Sequence, residues 1–224
     1  DEFGGIRFER LSKFCRLSKF NNLRNIPNLP NIIKLQNLCN LLNITNTLNQ
    51  LTMTFNISQH LPSDFHPQSR VWIYQSNRIF TADEVNEIKS TLSDFVSSWN
   101  SHGDKVKGFA TLLLDCFILF MADESATGVS GCSTDSSVRV VKELEKKYNV
   151  DLFNRQLLSF WIDEKIVQIP LSELKNVIQI NQISPETIYF NNTILSKKEL
   201  EEKWIINLKN SWLSTKFNSL MFKV

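Results

Sequence analysis

The sequence changes character at Met53, and this change constrains the fold more than any other feature of the chain. Before Met53, asparagine recurs every three residues at positions 22, 25, 28, 31, 37, 40, 43, 46 and 49, and Lys34 fills the one gap. A period of three fits neither the turn of an amphipathic helix nor the alternation of a strand. Pro27 and Pro30 also interrupt any long helix. The pattern predicts that 1–52 is a poorly structured, low-complexity extension rich in Asn and Leu.

This extension has three possible interpretations. A solenoid repeat normally needs a unit of about 20 residues or more. A secretory signal needs an apolar segment followed by a small-residue cleavage site, which the sequence does not offer. The third interpretation, favoured by the repeat length, is a tract that need not pack. A tandem DNA repeat translated upstream of a true start at Met53 would produce it. We therefore expect one folded domain at 53–224, with its core at 65–217.

The charge distribution supports this division. The chain carries 25 basic and 23 acidic residues, of which seven basic and three acidic lie in 1–52. The folded part therefore has 18 basic and 20 acidic residues, a net charge of −2. Such a domain lacks the basic surface that nucleic acids require, so we expect no DNA partner. Basic residues in 1–52 could contact RNA or anionic lipid, but scattered Lys and Arg usually keep a tail solvated.

Apolar runs and cysteines bear on location. The longest apolar run, 109–122, is interrupted by Asp115 and is too short to span a bilayer. The folded part contains two cysteines, Cys116 and Cys132, without a Cys-x-x-Cys pairing. This usage predicts reduced thiols and a cytoplasmic protein.

Hydrophobic patterns and turn residues predict the elements of the domain. Strands are expected at Arg70–Gln75, 105–114, 116–122, Leu157–Ile162, 165–169 and 187–190. Helices are expected after the capping boxes Thr81-x-x-Glu84 and Ser196-x-x-Glu199, and at 135–148 and 171–178. Gly103 is expected to end the first helix in a left-handed conformation, and Trp212 to pack the C-terminal segment on the body.

The order of these elements predicts the fold class. A βαββα run followed by further strands indicates an α+β domain with an antiparallel or mixed sheet. Helices would cover one face of the sheet, and the start would be ferredoxin-like.

One segment is a candidate site. A strand ends at Asp123-Glu124, and Ser130-Gly131-Cys132-Ser133-Thr134-Asp135 then leads into the second helix. Small residues allow close approach of a ligand, and first-turn amides favour an anion such as phosphate. The same position lowers the pKa of a cysteine thiol, and Arg139 follows within two turns. The alternative is that these residues are ordinary helix caps and a packed cysteine.

Several chemistries are excluded or disfavoured by the sequence. It contains no Gly-x-x-x-x-Gly-Lys-Ser/Thr phosphate loop, and the spacing from Cys132 to Arg139 is one residue too long for a cysteine-phosphatase loop. The three histidines lie far from Cys132 in sequence, which gives no support to a Cys-His pair or a zinc site. Asp123, Glu124 and Asp135 could hold a hard cation, but solvated carboxylates are more common, so we predict no metal.

Four segments together resemble an uncharacterised family of small bacterial proteins, some of which are labelled ABC transporter ATPases. These segments are Arg70-Val71-Trp72-Ile73-Tyr74-Gln75, Ala122-Asp123-Glu124, Ser130-Gly131-Cys132-Ser133-x-Asp135-x-Ser137-Val138-Arg139 and Phe190-Asn191-Asn192. The resemblance spans 65–217 and implies a domain boundary and positions to test, including Asn191 and Asn192, which are expected in a turn or near the Cys132 loop. The label implies nucleotide hydrolysis, but without a phosphate loop we do not expect ATPase activity.

Two functions follow from these residues. The first is a small binding or interaction domain that takes a small anion or a protein partner, with an anion site at 130–135. The second is a thiol-dependent enzyme or redox sensor that uses Cys132. The sequence names neither a cofactor, a substrate nor an oligomeric state.

Overall fold

The strands and helices occur in the predicted order, with a few additional elements. The computed structural model describes residues 55–125, 128 and 130–221, so the predicted extension at 1–52 lies outside the described residues. In chain order the elements are β1 (Arg70–Gln75), α1 (Ala82–Ser98), β2 (Asn100–Ser101), β3 (Asp104–Lys105), β4 (Lys107–Leu113), β5 (Phe117–Asp123), α2 (Gly131–Tyr148), β6 (Leu157–Ile162), β7 (Lys165–Pro170), α3 (Leu174–Gln179), β8 (Ile188–Phe190), α4 (Lys197–Lys203), β9 (Ile205–Asn207) and α5 (Trp212–Met221). Short 3₁₀ helices lie at Ile57–His60 and Leu208–Asn210.

The first sheet has the strand order β1-β5-β4, and both pairings are antiparallel. Its strands are rich in β-branched and aromatic residues, which favour a pleated, buried backbone. The β4–β5 hairpin turns through Leu114 and Asp115, both of which have positive φ. Strand β1 pairs with β5 and is followed by α1, which is the arrangement expected of a ferredoxin-like βαββα unit.

Helices α1 and α2 cover one face of this sheet. Alternate residues of β5 meet that face, because successive side chains of a strand point to opposite sides. The shared core contains Val85, Ile88 and Leu92 from α1, Ile118, Phe120 and Ala122 from β5, and Val141 and Leu144 from α2. The predicted placement of helices on one face is therefore confirmed for this sheet.

The C-terminal half covers the opposite face of the first sheet. The Phe117 ring lies 5.0 Å from the Phe190 ring and 5.3 Å from the Trp204 ring, measured between centroids. Val71 and Ile73 of β1 are buried as well. Because both faces are covered, every residue of β5 is buried.

A second antiparallel sheet has the order β7-β6-β8-β9. Its core includes Phe160, Tyr189 and Leu213, joined by Leu174 and Val177 of α3. The α+β class and the antiparallel pairing are thus confirmed, with the strands divided between two main sheets.

One predicted detail is wrong, and another is met in part. Helix α1 ends at Ser98 with an extended cap at Trp99, and Gly103 does not end it. Instead His102, at φ 53°, and Gly103, at φ 92°, form the two-residue turn between β2 and β3. Trp212 lies against the body beside Tyr189, as predicted, but it is 42% exposed. The main anchor of the segment after β9 is the neighbouring Leu213, which is fully buried.

Gly108 of β4 lies against the Trp99 indole, and this contact gives a test of the packing. A Cβ added at Gly108 would lie 2.5 Å from the indole Cε3, well inside van der Waals contact. We therefore expect Gly108→Ala to lower the free energy of unfolding by about 1–3 kcal/mol, the usual cost of overpacking. Urea denaturation followed by tryptophan fluorescence would measure it.

Gly128→Ala is the matched control, since a Cβ there meets nothing within 4 Å. Equal urea midpoints for Gly108→Ala and the unsubstituted protein would contradict the packing described here.

Candidate functional site

The N-terminus of α2 is built around Ser130. The Ser130 side chain accepts a hydrogen bond from the Ser133 amide at 3.3 Å, and its carbonyl accepts one from the Thr134 amide at 3.0 Å. Ser130 is extended, as an N-cap should be. The helix therefore begins at Gly131, four residues before the predicted start at Asp135. The low helix propensity of the Gly-Cys-Ser-Thr run hides this start in the sequence.

The early start changes the predicted amide donors. Thr134 already bonds within the helix, and Asp135 comes after the first turn. The amides without a helical acceptor are instead those of Gly131 and Cys132, since Ser130 takes that of Ser133.

Two other segments fix this helix start. The Ser130 amide donates to the Ser101 hydroxyl at 3.1 Å, and that hydroxyl donates to the Gly128 carbonyl at 3.0 Å. The buried Trp99 indole donates to the Ser133 carbonyl at 3.0 Å. The end of α1 and the β2–β3 hairpin thus hold the first turn of α2 in place.

A surface groove of about 520 Å³ opens beside this turn. Three of the predicted site residues, Ser130, Ser133 and Arg139, share it with His102. Its wall is formed by Phe95, Ser98, Trp99, Asn100, His102, Ser130, Ser133, Ser136, Arg139 and Val140. These residues include a guanidinium, an imidazole and several hydroxyls but no carboxylate. The composition of the wall favours a negatively charged ligand.

Arg139 and Ser133 have unused polar groups beside the groove. Within the part of the chain that the structure describes, the exposed Arg139 side chain has neither a hydrogen bond nor an ion pair. Ser133 lies six residues earlier on α2, nearly two turns, and is 2% exposed. Among the described residues its hydroxyl has no hydrogen-bond partner. A buried hydroxyl without a partner costs free energy, about 1–3 kcal/mol. Ser69 and Ser159 also have such hydroxyls, so the feature is not confined to this groove.

Two other predicted residues of 130–135, Gly131 and Asp135, are exposed near the start of α2 and do not line the groove. Cys132 occupies the second position of α2. Its side chain is outside the described part of the structure, so the reactivity of this thiol stays a prediction.

Asp123 belongs to a different cluster. It is 2% exposed at the end of β5, where the Lys107 ammonium lies 3.0 Å from its carboxylate. The amides of His66 and Ser125 donate to it at 3.2 and 3.1 Å. Burial would raise the pKa of the Asp123 carboxyl, but the hydrogen bonds from Ser125, Lys107 and His66 outweigh burial and hold the pKa well below its usual range. Asp123 is therefore an anchor for the segment before β1.

Lys107 completes that anchor. Its ammonium also meets the Asp64 carboxylate at 3.1 Å and the Asp64 carbonyl at 2.7 Å, and it lies over the Phe65 ring. Hydrogen bonds to Asp123 and then Asp64 raise the pKa of Lys107.

Glu124 and the two asparagines lie on other elements. Glu124 is 3.7 Å from the Arg70 guanidinium and lines a charged surface groove of about 480 Å³ next to α4. Asn191 accepts hydrogen bonds from the Thr193 amide and hydroxyl, which makes the predicted turn after β8. Neither asparagine has positive φ. The predicted residues therefore do not form one site.

Asn192 has a role that the sequence did not reveal. It donates to the Gln75 side chain at 2.9 Å and accepts from the Trp204 indole at 3.0 Å. Gln75 in turn donates to the Leu157 carbonyl at 3.2 Å. This network links β1 to β6 and to the end of α4, and no local pattern in the sequence could have indicated it.

Within 55–125, 128 and 130–221, no three His, Cys, Asp or Glu side chains are grouped to hold a metal ion. No helix in the same residues combines the length and apolar character needed to cross a bilayer.

Comparison with known proteins gives no match: no family model, no curated protein and no solved structure is similar to this chain. The resemblance to small bacterial proteins stays a prediction.

The Asp123 anchor predicts a pH dependence. Because the folded-state pKa of Asp123 is lowered, its ionised form stabilises the fold above the ordinary carboxyl pKa of about 4, and this contribution is lost as the pH falls further. We expect Asp123→Asn to reduce the slope of unfolding free energy against pH below 4 by about one proton. Urea titrations between pH 2 and pH 6, a range chosen to bracket about pH 4, would measure the slope.

Asp163→Asn is the control, since Asp163 is exposed in the β6–β7 turn and Asn accepts its left-handed backbone. The anchor would be refuted by parallel pH profiles for Asp123→Asn and the unsubstituted protein.

Proposed function

We propose that this protein is a small binding domain, and that the groove at the start of α2 binds a small anion such as a phosphate group. The observation that carries the proposal is the Arg139 guanidinium, which has no partner in the described residues and lines a groove without carboxylates. Most surface arginines of such a domain could find an acidic neighbour, since acidic residues outnumber basic ones in 53–224.

The N-terminal end of α2 adds a second source of positive potential. Aligned peptide dipoles give a helix N-terminus about half a unit of positive charge. The amides of Gly131 and Cys132 are available in this first turn. Ser130 accepts from the Ser133 amide through its hydroxyl oxygen, which leaves the hydroxyl proton able to donate to a ligand.

The placement of Arg139 suits this task. Ser133, Ser136 and Arg139 are spaced by three residues and share one face of α2. A guanidinium can hold two oxygens of one anion at once, which a single ammonium cannot. The anion would be held between the helix start and the guanidinium, over the side chain of Ser136.

Phosphate binding tests the proposal. Inorganic phosphate would be titrated at constant ionic strength, because salt screens exposed charges. We expect saturable NMR shifts of the amides of 130–133 and of the Trp99 indole. Arg139→Gln should weaken binding about tenfold, equivalent to the loss of roughly 1.4 kcal/mol.

Lys142→Gln is the matched control. Lys142 is exposed on the same helix and does not line the groove, so its removal subtracts the same charge without touching the wall. Equal weakening by both variants would show general attraction to a positive surface, and the absence of shifts at 130–133 would contradict the site itself.

A thiol-dependent function of Cys132 is the second candidate. The observation that favours it is the early start of α2, which puts the Cys132 backbone in the first turn, where the dipole favours a thiolate. Cys116 does not compete for this role, because burial raises the pKa of its thiol to about 12.

Site-resolved alkylation tests this second candidate. Iodoacetamide labelling at pH 7 would be followed by peptide mass spectrometry, so that each cysteine is read separately. We expect Cys116 to stay unlabelled until the protein unfolds, since the thiolate is the reactive form. If Cys132 reacts no faster than N-acetylcysteine, the thiol-dependent function is removed from consideration.

A further inference from the structure

A second cavity lies between the two sheets, on elements that the groove beside α2 does not use. It has a volume of about 90 Å³ and sits where Gln75 of β1, Leu158 of β6 and Asn192 after β8 approach one another. A water molecule needs about 10–15 Å³ of such space, so the cavity can hold a group of several heavy atoms. Trp212, which is 42% exposed, stands at its rim.

Arg155 lines this cavity with most of its donors unused. Its guanidinium makes one long hydrogen bond, 3.4 Å to the Ile73 carbonyl, and lies 5.9 Å from the centre of the Tyr74 ring. Of the residues that the structure describes, no Asp or Glu forms an ion pair with it. A guanidinium has five N–H donors, so several have no acceptor in the protein.

The two carboxamides in the wall have fixed orientations. The Trp204 indole can only donate, so the Asn192 oxygen must face it at 3.0 Å. The Asn192 nitrogen is thereby turned to the Gln75 oxygen, and the Gln75 nitrogen to the Leu157 carbonyl. Both side-chain oxygens are engaged, whereas each nitrogen keeps a second N–H.

The wall therefore presents donors on one side and apolar groups on the other. The donors are Arg155, Gln75 and Asn192, and the apolar wall includes Leu152 and Leu158. None of the described residues that line the cavity carries a carboxylate. A planar carboxylate matches the two-pronged geometry of a guanidinium, and a short hydrocarbon chain matches the leucines.

We infer that this cavity binds a small aliphatic carboxylate, with Arg155 holding the carboxylate group. The ligand class follows from the volume, the excess of donors and the apolar wall. Trp212 at the rim reports on occupancy, because its side chain lines the cavity together with the buried Tyr189. The site rests on none of the residues that line the groove beside α2.

Short carboxylates of increasing length test this inference. Acetate, propionate and butyrate would be titrated into the full chain at constant ionic strength, with the Trp212 indole followed by NMR and assigned with Trp212→Phe. We expect saturable shifts, tighter binding of propionate and butyrate than of acetate, and about a tenfold loss of affinity in Arg155→Gln. Lys165→Gln, an exposed cation outside the cavity, should bind as the unsubstituted protein does.

A second variant keeps the test decisive if Arg155→Gln folds poorly. The Asn154 oxygen already accepts from the Gln156 amide, so Asn154→Asp keeps that bond. The change replaces the side-chain NH2 group with an oxygen of similar size and adds a negative charge at the wall. It should abolish carboxylate binding while the thermal unfolding midpoint stays unchanged.

Three results would overturn the inference: no saturable shift with any carboxylate, an equal loss in Lys165→Gln, or inorganic phosphate binding as tightly as propionate at this cavity. Arg139→Gln should leave carboxylate binding intact, and Arg155→Gln should leave the phosphate response at 130–133 intact. Failure of one site is therefore distinguishable from failure of the other.

Discussion

The burial of β5 on both faces is the constraint from which the rest of the domain follows. A half-buried strand needs one covering layer, but Phe117–Asp123 has no solvent-exposed face and needs two. Helices α1 and α2 supply one layer against Phe120, and the C-terminal half supplies the other against Phe117. The second sheet is thus attached to the first through apolar contact with β5 and through the Asn192 network.

A buried lysine of α4 holds the N-terminal part of the described chain against this arrangement. Lys197 of α4 donates from its ammonium to the carbonyls of Pro62 and Phe65 at 2.9 and 3.0 Å. Its own amide bonds the Ser69 carbonyl, immediately before β1. A charged donor strengthens each such bond, to about 1.5–3 kcal/mol. Together with the Asp123–Lys107 pair, this lysine holds the segment before β1 against both sheets. Hydrogen bonds from a charged group fix the position of that segment with a directionality that apolar contacts lack.

The sequence predicts those features that depend on near neighbours. Alternating or continuous apolar residues locate β1, β4, β5, β6 and β7, and the box at Thr81 and Glu84 marks the start of α1, where both reciprocal bonds form. The second box is only half formed, because Glu199 reaches the Leu195 amide and not that of Ser196. Two-residue strands such as β2 carry too little pattern to be detected.

Features that depend on distant residues escape sequence analysis. The division into two sheets is set by which strand ends meet, and Gln75 and Asn192 meet across 117 positions of chain. The predicted start of α2 lay four residues too late, because Ser130, and not a residue closer to Asp135, caps the helix. The candidate site was likewise predicted only in part. Ser130, Ser133 and Arg139 line one groove, whereas Asp123 pairs with Lys107 across the hairpin and Asn192 bonds to Trp204.

The two proposed sites both bind anions at short range, which the total charge does not indicate. Residues 53–224 carry a net charge of −2, so they do not attract anions over long distances. Each site must therefore work at contact range. It uses a guanidinium that has no acidic partner among the described residues, and donors whose orientation is fixed by other bonds. In the groove the fixing bond is the Ser130 cap, and in the cavity it is the Trp204 indole, which turns Asn192. Short-range donors of this kind select by geometry, so a phosphate and a short carboxylate can be distinguished within one weakly acidic domain.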